Sequence, residues 1–271
     1  MAEAWRAEGG VVAPGTGSTR WLGFRYRTVA GEARLTDAPQ GCEAAVVLVA
    51  GEVDVRRGAD TFHLGPRPNP FDHLPEAAYL PKGDAVTIVS RGPAAVALAW
   101  AEGDAARTAY RVSAGEIATE SRGVGTTERT IRHLLEADRP AHRLYLVEVI
   151  TPAAHWSSFP PHRHDRHAPP DEYAMEEAYL FRVEPAEHKA LMGTWSADGQ
   201  EEAAFVAGDQ DLVMVRSGYH TVSAAPGSRL YYLNAMAGPE RTWKPVFHPR
   251  YLHLVEGWGN APVADAGGTA R

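Results

Sequence analysis

The feature that most constrains this chain is how often it is interrupted. From Trp21 onward, apolar and β-branched residues come in runs of four to nine, each closed by glycine, proline or aspartate. Runs of that length with those breakers predict strands in preference to helices. Val46–Val55 reads as two strands joined at Gly51, and Ala78–Asp84 as a strand ended by a Pro-x-Gly turn. The same rhythm returns late in the chain, where Gly208-Asp209, Ser217-Gly218 and Pro226-Gly227 separate further runs. So many short strands would expose many edges, and closure into barrels removes edges. The expectation is an all-β protein of two tandem β-barrel units, 1–138 and 139–271, with a short connecting segment. Residues 1–20 read as a loose lead-in. In the connection, Thr126 or Thr127 is placed to cap a short helix over Glu128–Ala137, with Ile131, Leu134 and Leu135 on one face; an extended linker fits the same residues. Gly123-x-Gly125 lacks the third glycine and the strand-to-helix setting of a phosphate loop and reads as a turn.

Composition narrows the partners. A net charge of -7 with scattered Lys and Arg argues against nucleic acid. The longest apolar run, Ala44–Ala50, falls far short of the roughly 20 residues a membrane helix needs, so no membrane is expected. The N-terminus lacks a basic patch followed by an apolar core, and the single Cys42 rules out an internal disulfide, which together point to the cytoplasm. A small molecule is the expected ligand, and a homo-oligomer packed through the ligand-poor first half is left open.

The chemistry gathers in WSSFPPHRHDRHAPPDEYAMEEAYLFR, Trp156 to Arg182. On a strand, His162 and His164 share a face. Glu177 opens the next extended run, and His220 follows a turn glycine in Gly218-Tyr219-His220. Three imidazoles and one carboxylate leave open positions on a divalent metal, zinc first, with manganese or iron as alternatives. Glu177 is preferred to Glu176 as the ligand. Facing inward, it takes Tyr179 and Phe181 with it and leaves Arg182 outside. The solitary His63, His73 and His133 read as surface or hydrogen-bonded residues, and Trp156, Phe159 and Tyr179 as packing. Arg129 reads as a contact between halves.

His162-x-His164, Glu177, Gly208-Asp209 and Gly218-Tyr219-His220 resemble the two signature segments of the cupin superfamily. The twelve residues between His164 and Glu177 exceed the usual spacing and are expected to form a lid over the metal. WSSFPPHRHD, MEEAYLFR, GYHTVSAAPG, LYYLNAMAG, RGVGTTERTIRHLL and FDHLPEAAYLPKG resemble more closely the 5-deoxy-glucuronate isomerase family of myo-inositol catabolism, a sibling of the 4-deoxy-uronate ketol isomerases. That resemblance runs from about Arg20 to Gly238 and is weakest in the tail, KPVFHPRYLHLVEGW. It implies a bicupin whose first barrel lacks ligands, and a metal-dependent aldose to ketose isomerisation of a sugar acid. Glu172, Glu176 and Tyr232 are the candidates for moving the proton. Asn234 shares strand parity with Tyr232 and is expected to bind substrate hydroxyls, while Arg182, Arg163, Arg166, Arg229 or Lys244 would take the carboxylate. An iron-dependent dioxygenase and a non-catalytic sugar-acid-binding module are the competing functions.

Overall fold

The computed structural model describes residues 3–7, 11–14, 19–35, 38, 40–104 and 106–255. They form strands, 3-10 turns and loops, and the chain is all-β as expected. In chain order the first strands are β1 (Glu3–Arg6), β2 (Val11–Val12), β3 (Gly23–Leu35), β4 (Cys42–Arg57), β5 (Asp60–Arg67) and β6 (Glu76–Leu80). There follow β7 (Val86–Glu102), β8 (Tyr110–Val112), β9 (Ala118–Arg122), β10 (Arg129–Leu135), β11 (Tyr145–Thr151), β12 (Trp156–Arg163) and β13 (Glu176–Glu184). The last are β14 (Ala190–Trp195), β15 (Glu202–Ala207), β16 (Leu212–Ser217), β17 (Tyr219–Ala224), β18 (Arg229–Ala237) and β19 (Val246–Phe247).

Hydrogen bonding sorts these into three sheets, none closed on itself: β2-β3-β7-β4-β6-β8 with β5 on β4, β1-β16-β13-β18-β11-β10-β9, and β15-β14-β17-β12-β19. The first and second sheets follow one plan. The central order β3-β7-β4-β6 in one corresponds to β11-β18-β13-β16 in the other. Register agrees as well: Ala44 pairs with Trp100 where Glu177 pairs with Met236, and Val46 pairs with Leu98 where Tyr179 pairs with Asn234. At one end of each sheet a buried carboxylate accepts consecutive backbone N–H groups that lead into a strand of the other half. Glu43 takes those of His142, Arg143 and Leu144, and Glu176 those of Arg20, Trp21 and Leu22. Charge-assisted bonds of this kind hold the two halves in a fixed relation. A second lock lies in the middle, where Arg67 donates two bonds of 2.8 Å to Glu148, both side chains almost wholly buried.

Three expectations change. The lead-in is not loose throughout: β1 pairs antiparallel with β16, and β2 with β3. The helix over Glu128–Ala137 is strand β10, preceded by a 3-10 turn at Gly125–Thr127. Its apolar spacing suits either period, and the β-branched Thr130 and Ile131 with pairing to β9 on one side and β11 on the other decide for the strand. Consequently β9 and β10, together with β1, belong to the sheet of the second half, so the boundary at 138 does not divide the sheets. Residues 256–271, part of the expected second unit, lie outside the described residues.

Candidate metal centre

The two sheets of the second half face each other, and the expected ligands come from both. His162 on β12 and His220 on β17 are register partners, His164 follows the end of β12, and Glu177 reaches across from β13. Gly218 sits at φ +95°, a left-handed backbone that glycine adopts freely, and this turn starts β17 with His220 aimed inward. Asp165 ties the turn to the other histidines, accepting the Gly218 N–H at 2.7 Å and an Arg163 N–H at 2.6 Å. The result is a buried cluster whose three histidine donor atoms lie within 4.8 Å of one another.

The hydrogen bonds fix which nitrogen each ring presents. His162, His164 and His220 each place Nδ1 on a backbone carbonyl, those of Pro160 (3.2 Å), Met175 (2.7 Å) and Gly218 (3.2 Å). A carbonyl only accepts, so each Nδ1 carries its hydrogen and each Nε2 turns a lone pair inward. There they meet the Glu177 carboxylate, whose Oε2 lies 3.0 Å from His164 Nε2 and 3.2 Å from His220 Nε2. The His220 contact lacks hydrogen-bond alignment, and this buried nitrogen has no other hydrogen-bond partner. A proton satisfies one such pairing; a dication satisfies all of them. Burial, with His220 and His164 beside it, pushes His162 well below the usual imidazole value, so it stays neutral. Burial alone would raise Glu177, but His164 and His220 beside it hold it far below the usual carboxylate range. Burial likewise lowers His164, and Glu177 more than reverses that. Three imidazole nitrogens around an ionised carboxylate, with a dication in place of the proton that His164 and Glu177 share, are a donor set that fits zinc, manganese or iron.

Beside this cluster opens a cavity of about 360 Å³. One wall is a ladder of hydroxyls: Tyr179 Oη lies 3.0 Å from Ser158 Oγ, which lies 3.3 Å from Tyr232 Oη, itself bonded to Ser157. Burial pushes both tyrosines up, so both keep their protons. Asn234 donates its side-chain N–H to Glu177 Oε1 and fixes the carboxylate. At the β9–β10 side, His133 lies 2.8 Å from Glu136 and 3.4 Å from Glu120, and Glu120 is held by two bonds from Arg122. The Glu136 contact outweighs burial and raises His133. Trp243 also lines the cavity, its ring 5.1 Å from that of His164 and 5.7 Å from that of His162.

Several candidates read from sequence stand elsewhere. Glu176 alternates away from Glu177 and spends both oxygens on the N–H groups of residues 20–22. Glu172 is paired with Arg163 and Arg166, pinning the loop after His164 outside the cavity. Arg182 points to the opposite face and bonds Asp209 at 2.7 Å. Arg229 is taken by Asp72 and Glu184, and Lys244 by the Pro170 carbonyl. None of these cations lines the cavity. The lid assignment also changes: the loop between His164 and Glu177 folds on itself through Ala168 and Glu172 and does not line the cavity, whereas Trp243 does. Trp156 is 44% exposed and is not interior packing. Sequence reasoning passed over Arg129, His133, Glu136, Tyr145 and Trp243. The alternation of Arg129, Ile131 and His133 was the available signal for the first two, hidden by reading β10 as a helix or linker. Trp243 lies in the tail where the resemblance was weakest.

Comparison with known proteins agrees over nearly the whole chain. A 5-deoxy-glucuronate isomerase from Geobacillus thermodenitrificans is 34% identical over 253 residues, 92% of each chain. The 5-deoxy-glucuronate isomerase of Bacillus subtilis strain 168 is 30% identical over 239 residues, 87% of this chain and 88% of its own. The crystal structure of an IolB-like protein from Salmonella typhimurium LT2 superposes with a TM-score of 0.86 at 28% identity, covering 90% of this chain and 94% of that one. Oxalate decarboxylase from Lactobacillus farciminis, at 11% identity and a TM-score of 0.61 over 93% of this chain and 88% of its own, shares the cupin-like fold. The KduI/IolB family model matches residues 8–254, strand β2 through the turn that follows Trp243, and the chain belongs to that family.

Proposed function

We propose that this chain is the 5-deoxy-glucuronate isomerase of a myo-inositol catabolic route, converting the open-chain aldehyde of 5-deoxy-D-glucuronate to the ketone of 5-dehydro-2-deoxy-D-gluconate with a divalent metal held by His162, His164, Glu177 and His220. The observation that carries the reading is the convergence of three Nε2 lone pairs on one ionised carboxylate at the wall of a cavity lined with hydroxyls. We read the two matching sheet plans as two cupin-like units, the second bearing the site, and the cytoplasm as the compartment, in keeping with the single cysteine.

A bound dication would polarise the carbonyl and spread the negative charge that builds as the carbon-bound proton leaves. The protein supplies the rest. Tyr179 and Tyr232, kept protonated, donate to substrate oxygens along the Ser157 and Ser158 ladder. Asn234 prevents Glu177 from rotating away. Glu136, whose neighbour is His133, is the cavity carboxylate suited to carry the proton between carbons, because both Glu120 oxygens are occupied by Arg122. Tyr232 thus serves as a donor to oxygen and not as the base.

The test is proton NMR of 5-deoxy-glucuronate with protein reconstituted in turn with zinc, manganese and iron, under nitrogen. Loss of the aldehyde hydrate signal with matching growth of the ketose is expected. No turnover with any of the three, or turnover only once air is admitted and oxygen is consumed, rejects the isomerase.

A further inference from the structure

We propose that Arg129 is the anchor for the substrate's carboxylate, gripping the end of the molecule remote from the imidazole cluster. The proposal rests on the isomerase reading for its substrate class and adds the residue that selects an acid over a neutral sugar.

The geometry starts from β10. Alternation along this strand sends Arg129, Ile131 and His133 into the cavity, while Arg132 and Leu134 face the first half. Arg129 is 6% exposed, yet its guanidinium lines the cavity. Backbone carbonyls fix its plane: one terminal nitrogen donates to Thr127 at 3.0 Å and to Arg122 at 3.5 Å, the other to Phe159 at 2.9 Å. A guanidinium held in this way meets a carboxylate as a fixed charge, at little further cost in side-chain order. Burial brings Arg129 down to about 10, so it remains charged at neutral pH.

The lining agrees. Between the poles runs the ladder of Tyr179, Ser158 and Tyr232, matched to a chain that carries hydroxyls. A cation at one end, hydroxyls between and lone pairs at the other outline a polyhydroxy acid. Arg122 also reaches the cavity, but its charge is met by the Glu120 carboxylate.

The experiment compares acid with neutral analogue, using Arg129→Met and Arg129→Lys in metal-loaded protein. Turnover is followed with 5-deoxy-glucuronate and with the sugar bearing a hydroxymethyl in place of the carboxylate. Calorimetry follows binding of the inert reduced acid and its neutral counterpart. Wild type should prefer the acid, and Arg129→Met should lose roughly 100-fold on the acid in both binding and kcat/KM while the neutral compound changes little. Arg129→Lys should recover part of the loss, and metal content should be unchanged. If Arg129→Met weakens both compounds equally, or neither, Arg129 is a structural arginine and the anchor is wrong. If wild type binds the acid through Arg129 without isomerising it, the anchor stands and the isomerase reading falls.

Discussion

Replacing Asp165 by Asn tests whether the metal centre depends on a residue that touches no ligand position directly. Asp165 follows His164 in the chain and bonds the Gly218 N–H two residues before His220, so it joins two ligand-bearing segments through one carboxylate. Burial would raise it, but Gly218 and Arg163 hold it below the usual range, so it is charged whenever the protein is folded at neutral pH. Asparagine keeps the shape and one acceptor oxygen. Its amide nitrogen would face either the Gly218 N–H or Arg163, donor against donor. One charge-assisted hydrogen bond, about 1.5–3 kcal/mol, is therefore lost. If all of that falls on the alignment of His220, metal affinity drops by roughly 10–100-fold. Competition with a chelator measures the affinity, and thermal melting of metal-free protein, expected to fall by about 5 °C, measures the general damage. A variant that melts lower but binds zinc within twofold of wild type would show that Asp165 only braces the fold and that the Gly218 turn does not need it.

Other expectations separate neighbouring residues. Glu177→Gln should lose metal by elemental analysis; Glu176→Gln should retain it and instead lose about 2–3 kcal/mol of stability in urea, because its carboxylate serves three backbone N–H groups. Arg67→Met should cost about 3–5 kcal/mol by leaving Glu148 buried and poorly compensated, and Arg67→Met with Glu148→Met should recover much of it in a double-mutant cycle. His133 is raised in the folded state by Glu136, so its contribution is complete below about pH 6.5 and is lost as pH rises through the higher folded value. Melting at pH 6 and pH 8 should therefore differ more in wild type than in His133→Gln; equal differences would remove His133 as the cause.

Strand content, the shared face of His162 and His164, and the inward side of Glu177 against the outward side of Glu176 were readable because period-two alternation acts locally: two side chains two apart on a strand share a face whatever the fold does. Partners distant in sequence were not readable. Nothing in the chain signals that Glu176 will meet the N–H groups of residues 20–22, or that Arg182 will be taken by Asp209, since both depend on how sheets stack. The β10 segment shows the limit most plainly. Ile131, Leu134 and Leu135 satisfy a helical stripe, and only the pairing with β9 and β11 chooses the strand, which in turn carries Arg129 and His133 into the cavity.

Among the described residues, the corresponding positions of the first half explain why a site opens in one half and not in the other. Where Glu177 stands in the second sheet, the first has Ala44; where Tyr179 and Asn234 stand, it has Val46 and Leu98, all in one apolar cluster. The place of Met236 is taken by Trp100, fully buried, and that of Tyr145 by Gly23. The two substitutions depend on each other. A Cβ added at Gly23 would lie 1.9 Å from a Trp100 ring atom, so the indole fits inward only because Gly23 has no side chain. An interior filled this way has no room for a ligand, whatever residues surround it. Gly23→Ala should therefore cost about 3 kcal/mol or more, Trp100→Leu about 2–3 kcal/mol through the void it leaves, and the two together clearly less than their sum. Urea unfolding of the four proteins measures the coupling, and zinc content should stay constant across them because the second half is untouched. Additive costs, within about 0.5 kcal/mol, would mean that Gly23 does not accommodate the indole and that the closed first half has another cause.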